Sequence, residues 1–319
     1  MGKTCHAFMI FHCSRCNMVA MRGAIESGDV EALRGLLAKS PERAALPFDD
    51  GSWPLHAAAG ANEPAMVELL VCAGAPLDSL YADSGHTALS WAVTCWAFDA
   101  GRKLVELGDE PDLFCAAGLG LLDHVRSGTS RASPSRTGSS RYSDSGERLP
   151  CPPVDEADQI SDALYIACRC DRLEAARWLL DHGADPNWRA YCGATCLAWA
   201  EFSANAELCA LLRERGASDE IADQTYRATP RVFPLMVLAG WGFDPRQLRK
   251  RFDADPALVH ARSDWGTLLH AAAQGGHVAT VRLLMERGVD LKALNAKGQT
   301  AAELAGERGH GEVAALLRG

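Results

Sequence analysis

The sequence predicts an all-α solenoid of stacked helix-turn-helix units. Three observations lead there. One segment with fixed apolar and glycine positions recurs along the chain. Its spacing clusters near 33 residues. Each copy is too short to bury its own apolar surface, so copies must stack to share a core. The chain has 319 residues, 48% of them apolar, which suits an array or two domains better than one compact core.

The clearest copy runs Gly266-Thr267-Leu268-Leu269-His270-Ala271-Ala272-Ala273-Gln274-Gly275-Gly276-His277, followed by Val278 to Val289. Residues 51–75 repeat it as Gly51-Ser52-Trp53-Pro54-Leu55-His56-Ala57-Ala58-Ala59, then Met66-Val67-Glu68-Leu69-Leu70 and Gly74-Ala75. Leu269, Ala272 and Ala273 share one face of a short first helix, where small alanines let neighbours approach. Val281, Leu283 and Leu284 form the apolar face of the second helix. Gly288 ends that helix, because a left-handed residue there is free of strain only in glycine. Thr267 and His270 stand where side chains satisfy backbone groups at a helix start.

With the threonine position as marker, the units begin at Val19, Trp53, Thr87, Pro111, Asp162, Thr195, Phe233, Thr267 and Thr300. The spacings are 34, 34, 24, 51, 33, 38, 34 and 33. Five of these eight lie within one residue of the 33-residue period, so about nine units cover nearly all of residues 18–319. This pattern resembles the ankyrin repeat, whose signature is T-P-L-H-x-A, a glycine turn, and an apolar helix ending in Gly-Ala-Asp. The resemblance is specific in the second, fifth, sixth, eighth and ninth units. The first, fourth and seventh keep the apolar spacing and lose the signature.

The departures suggest a domain plan. Leu107-Gly108-Asp109-Glu110-Pro111 passes almost directly from the third unit to the fourth, with Pro111 suited to the first turn of the next helix. Between Arg126 and Pro153 the chain has eight serines, five arginines and only Asp144 and Glu147 as acids. A segment this poor in apolar residues cannot pack a core. Both a tolerated surface insertion and a regulated arm fit it, since interleaved serine and arginine suit phosphorylation or an acidic partner. Thr225 to Phe233 reads as a lengthened finger. The plan is a leader over residues 1–17, units over 18–126, a Ser/Arg/Pro-rich insertion over 127–159, and units again over 160–319.

Charge and motifs narrow the function. The 32 basic and 41 acidic residues give a net charge of −9. That balance argues against nucleic acid, which requires a basic stripe, and gives no reason for an anionic membrane surface. No apolar run approaches the length of a membrane-spanning helix. Twelve cysteines lie mostly inside helical patterns, among them Cys72, Cys95, Cys115, Cys168 and Cys209. They read as small apolar residues of a reducing, cytoplasmic protein. Cys13-Ser14-Arg15-Cys16 has the spacing of a zinc half-site, with Cys5, His6 and His12 nearby, but a second spaced pair is missing. Cys168-Arg169-Cys170 and Cys192 with Cys196 lack a histidine at ligand spacing. His56, His270, His277 and His310 fall on repeat positions and read as structural. Gly118-Leu119-Gly120 follows no strand, and there is no G-x-S-x-G, Walker-type or H-E-x-x-H motif. No catalytic residue, cofactor site or metal site is expected.

The resemblance implies short β-hairpin fingers between the helix pairs, and binding through the finger tips and the face of the first helices. Carried onto this chain, it places Trp53, Tyr81, Trp188, Arg189, Tyr191 and Trp265 on fingers, where aromatic and arginine residues serve as interface anchors. Trp91, Trp96, Trp178 and Trp199 fall inside helical patterns and read as core or ridge residues. The expected function is a monomeric scaffold or adaptor for a partner protein. A regulatory inhibitor or specificity subunit of an enzyme, and a zinc or redox sensor using the N-terminal cysteines, are the competing readings.

Overall fold

The computed structural model describes residues 18–81, 85–127, 156–188, 194–218, 226–229, 231–240 and 245–319. Within them the helices fall into nine pairs: α1 (residues 18–26) and α2 (Val30–Lys39), α3 (Pro54–Gly60) and α4 (Pro64–Cys72), α5 (Ala88–Thr94) and α6 (Phe98–Glu106), α7 (Leu113–Leu119) and α8 (Leu122–Ser127), α9 (Glu156–Arg169) and α10 (Leu173–Asp181), α11 (Cys196–Ser203) and α12 (Ala206–Glu214), α13 (Phe233–Gly240) and α14 (Arg246–Ala254), α15 (Leu268–Gly275) and α16 (Val278–Glu286), and α17 (Ala301–Glu307) and α18 (Gly311–Arg318). The fold is an all-α solenoid, as the repeat spacing requires.

By contact density the chain divides into two compact units. The first combines described residues 18–127 with 156–183, and the second begins at Ala184. In the first unit the inner helices α3, α5, α7 and α9 pack in succession, and α2, α4 and α6 pack behind them. In the second, α11, α13, α15 and α17 pack in the same order. Helices α7 and α9, which flank the insertion in sequence, pack on one another and belong to the same first unit. The compact division falls instead after Gly183. Helix α9 begins at Glu156, so helix takes up residues assigned from sequence to the insertion.

Small side chains explain the close inner stack. Ala58, Ala59, Ala92, Ala116, Ala117, Ala167, Ala272 and Ala273 are all fully buried. Leu269, Val281, Leu283 and Leu284 are buried as their spacing predicts. At Gly118 no side chain fits: a Cβ there would lie 2.3 Å from Val93 Cγ1 and 3.2 Å from Ile166 Cγ1. The third and fifth units thus meet across this glycine. The Cys170 thiol reaches the Val93 carbonyl at 3.8 Å, and Trp96 Nε1 donates to the Arg169 carbonyl at 3.0 Å.

The threonine marker is the N-cap where the signature is intact. Thr87, Thr267 and Thr300 each form a capping box, and Thr195 caps α11 by accepting from Ala198 N–H. In the degenerate units the cap lies elsewhere. Asp112 caps α7 by accepting from Cys115 N–H at 2.8 Å, so Pro111 precedes the cap and is not in the helix. Asp162 lies within α9, and Phe233 is the first residue of α13. The first and seventh units share another exit. In place of a left-handed glycine, Ser40-Pro41 and Asp255-Pro256 end α2 and α14 with an extended residue and a 3-10 turn. Proline forbids the helical conformation to the residue before it.

The fingers differ from the expected β-hairpins. Among the described residues there are no strands; an isolated bridge joins Arg262 and Thr267, and Thr195 is a further bridge residue. Four of the described fingers are instead tight turns, closed by Phe48 N–H to Ser52 O, Tyr81 N–H to His86 O, Ser263 N–H to Gly266 O, and Asn295 N–H to Gln299 O. Two or three bonds per turn are too few to build a ladder.

Candidate functional site

The fingers and the inner helices beneath them form the candidate site, and its rigidity begins with histidines. His270 Nδ1 accepts from the Thr267 hydroxyl at 2.8 Å, while Nε2 faces the Gln299 carbonyl at 2.9 Å and must carry the proton. His56 Nε2 donates in the same way to the His86 carbonyl at 2.9 Å. Each of these side chains ties one unit's inner helix to the next unit's finger. On the opposite edge, His277 donates to the Gly240 carbonyl and His310 to the Gln274 carbonyl, both at 3.0 Å. Burial holds His56, His270 and His277 below the ordinary histidine pKa, so all three are neutral links.

On this frame sit the aromatic residues. In the first compact unit Trp53 is half-buried at the start of α3, and its Nε1 donates to the Leu80 carbonyl of the next finger at 3.2 Å. Tyr81, also half-buried, meets Trp91 edge-on at 5.9 Å and lies 6.1 Å from His56. The Trp91 indole crosses α3 at Gly60, where a Cβ would come within 2.6 Å of its Nε1. Leu46 and Leu80 are exposed large apolar side chains on the same two fingers. In the second compact unit Trp265 is half-buried, edge-on to Tyr226 at 5.2 Å and to His270 at 6.4 Å. Trp188 is half-buried in a turn that its backbone N–H closes to the Asp185 carbonyl. Arg189 and Tyr191 lie outside the described residues.

Trp91 was read from sequence as core or ridge and is half-exposed on the inner face. Its place just after Ser90, which fills the signature's histidine position, is the signal for such exposure. Leu80 and Tyr226 also belong to these clusters, and nothing in their local sequence marks them. Trp199 is fully buried, as its helical position implies. Trp96 is not inside a helix. It occupies the turn between α5 and α6 with φ +57°, its ring under the Arg169 guanidinium at 4.1 Å. The left-handed position recurs once per described inter-helix turn, at Gly28, Asn62, Trp96, Gly120, Asp171, Ala204, Gly276 and Gly309.

Among the described residues no group of three or more histidine, cysteine or acidic side chains is placed to hold a metal ion. Cys5, His6, His12, Cys13, Cys16 and Cys192 lie outside those residues. Cys168, Cys170 and Cys196 are buried thiols, and burial pushes the Cys170 thiol up to about 12. No helix among the described residues is long and apolar enough to cross a membrane.

A family model for ankyrin repeats in three copies matches residues 20–115 and 245–319, more than half of the chain, and a single ankyrin-repeat model matches residues 161–188. The chain belongs to the ankyrin-repeat family. A probable E3 ubiquitin-protein ligase, XBOS33 of Oryza sativa subsp. japonica, is similar at 39% identity over 85 residues. That similarity covers 26% of this chain and 16% of the ligase, so the chain spans a small part of its relative's length. Ankyrin repeats indicate protein partners, and the histidine links and helix caps above show how this chain holds its ankyrin fingers in place.

Proposed function

We propose that this ankyrin-repeat chain is a binding protein, not an enzyme, acting as an adaptor that docks a partner through its fingers and inner-helix face. One observation carries the reading. Trp53, Tyr81, Trp188 and Trp265 are all half-buried on fingers, and the rings of Trp53, Tyr81 and Trp265 each make a supporting contact. A ring held by its neighbours loses little freedom on binding, which is what an interface anchor requires. The proposed contact set is Trp53, Tyr81, Trp188, Arg189, Tyr191 and Trp265, with Trp91 added from its position.

The test combines Trp188→Ala, Tyr191→Ala and Trp265→Ala in one variant and compares its captured partners with the parent's. Loss of a partner with folding retained supports the proposal. An unchanged partner set with an unchanged melting curve contradicts it for the second compact unit. The same comparison with Trp53→Ala and Tyr81→Ala tests the first unit. The match to a ligase over 16% of that protein's length assigns no reaction to this chain.

A further inference from the structure

We infer that the finger surface of the first compact unit selects a partner segment combining lysine or arginine with large apolar side chains. The inference rests on the reading that the finger aromatics dock protein, and it adds the chemistry of what docks there.

The surface is contiguous from residue to residue. Trp53 is bonded to the Leu80 carbonyl, Tyr81 follows in the same finger, and Trp91 meets Tyr81 edge-on and crosses Gly60. Leu80 is 45% exposed and Leu46 46% exposed. Side chains this apolar, left wet beside half-buried rings, mark a docking surface more than a solvated loop.

Its charge is one-sided. Between Arg43 and Arg102 the chain contains seven carboxylates and not one lysine or arginine. Among the described carboxylates, three lie on the fingers that carry the aromatics: Asp49 and Asp50 beside Trp53, and Asp78 beside Leu80. All three are exposed. Arg22 from α1 bonds Asp50 at 2.8 Å and, with its guanidinium over Phe48, braces that finger. Two fingers of the second compact unit are mixed in sign: Arg262 accompanies Asp264, and Lys292 and Lys297 accompany Asp290. The electrostatic preference is therefore local to this surface and not a consequence of the net charge of −9. An apolar strip edged by carboxylates favours cationic apolar segments. It also repels acidic ones, which raises specificity more than affinity.

The test is selection of a phage-displayed random peptide library on the full chain, followed by binding of the enriched peptides to variants. Peptides rich in lysine or arginine with at least one large apolar residue are expected. Their affinity should fall about threefold or more in the Asp49→Asn/Asp78→Asn variant at low salt, and the difference should shrink at high salt. Leu80→Ser, which alters only an exposed side chain, should weaken them by about tenfold. Enriched peptides with no excess of positive charge, or peptides indifferent to the two aspartates, overturn the inference. If neutral peptides are enriched and still depend on Leu80, the docking reading stands and only the charge selection fails. If nothing enriched depends on Leu80 or on Trp53→Phe, the docking reading fails for this surface as well.

Discussion

Replacing Gly118 with alanine tests the packing of the first compact unit where it is tightest. The new Cβ would lie 2.3 Å from Val93 Cγ1 and 3.2 Å from Ile166 Cγ1, so α5 and α9 would both have to yield. Overpacking of this kind costs about 1–3 kcal/mol. The better helix propensity of alanine returns about 0.5–1 kcal/mol, leaving a net destabilisation of up to about 2 kcal/mol. Gly35 provides the control. It lies on exposed α2 with nothing within 4 Å of a Cβ, so Gly35→Ala should stabilise by about 0.5–1 kcal/mol. Val93→Ala alone removes buried carbon and should destabilise by about 1–2 kcal/mol. Combined with Gly118→Ala it opens the space the new Cβ needs, so the double variant should be more stable than the sum of the two losses by about 0.5 kcal/mol or more. Urea denaturation followed by tryptophan fluorescence measures all four proteins. If Gly118→Ala stabilises as much as Gly35→Ala, Val93 and Ile166 do not converge there. The stacking of α5, α7 and α9 across the insertion would then be refuted.

Three further predictions concern strain, protons and thiols. Ala204 holds φ +55° in the turn after α11, a conformation costing alanine about 1–2 kcal/mol, so Ala204→Gly should stabilise the second compact unit by about 1 kcal/mol in denaturant titration. The buried histidines should make stability fall with acid. His56, His270 and His277 resist protonation when folded, whereas unfolded they accept a proton near the ordinary value of 6.5. The unfolded chain therefore binds more protons below that pH. Stability is fully present above it and is lost as pH falls towards the depressed folded values, by at most about 1.4 kcal/mol per pH unit for each histidine. Equilibrium unfolding at a series of pH values checks this, and a flat profile below pH 6.5 would contradict it. Finally, exposed Cys72 should be alkylated in the native protein, while buried Cys115, Cys168, Cys170 and Cys196 should react only on unfolding, as peptide mass mapping would show.

The fold was legible where one residue does one local job. Thr87, Thr195, Thr267 and Thr300 announce helix starts because a capping hydroxyl acts within three residues of itself. Where the cap changed chemistry the register slipped: Asp112 caps α7 one residue after Pro111, and α9 starts six residues before Asp162. The persistence of packing across the insertion was not readable, because it depends on Gly118 lacking a side chain opposite Val93 and Ile166. No period in the sequence records that contact. Strands were expected from the family resemblance, yet the fingers hold too few backbone bonds to form them. The finger aromatics were legible as positions. What supports them was not: Trp91 read as core or ridge, and the Trp53–Leu80 and Trp265–Tyr226 contacts join residues 27 or more apart in sequence.

The central claim is that the fingers and inner-helix face, not the outer helices, receive a partner protein. Site-specific photo-crosslinking tests it most directly, with the reactive side chain placed in turn at Trp53 and Trp265 on the fingers and at Arg34 and Arg282 on exposed outer-helix positions. The account predicts discrete crosslinked partners from the finger positions, lost when the neighbouring Tyr81 or Tyr226 is changed to alanine, and none shared by the outer positions. Crosslinks arising from Arg34 or Arg282 alone, with the fingers silent, would contradict it.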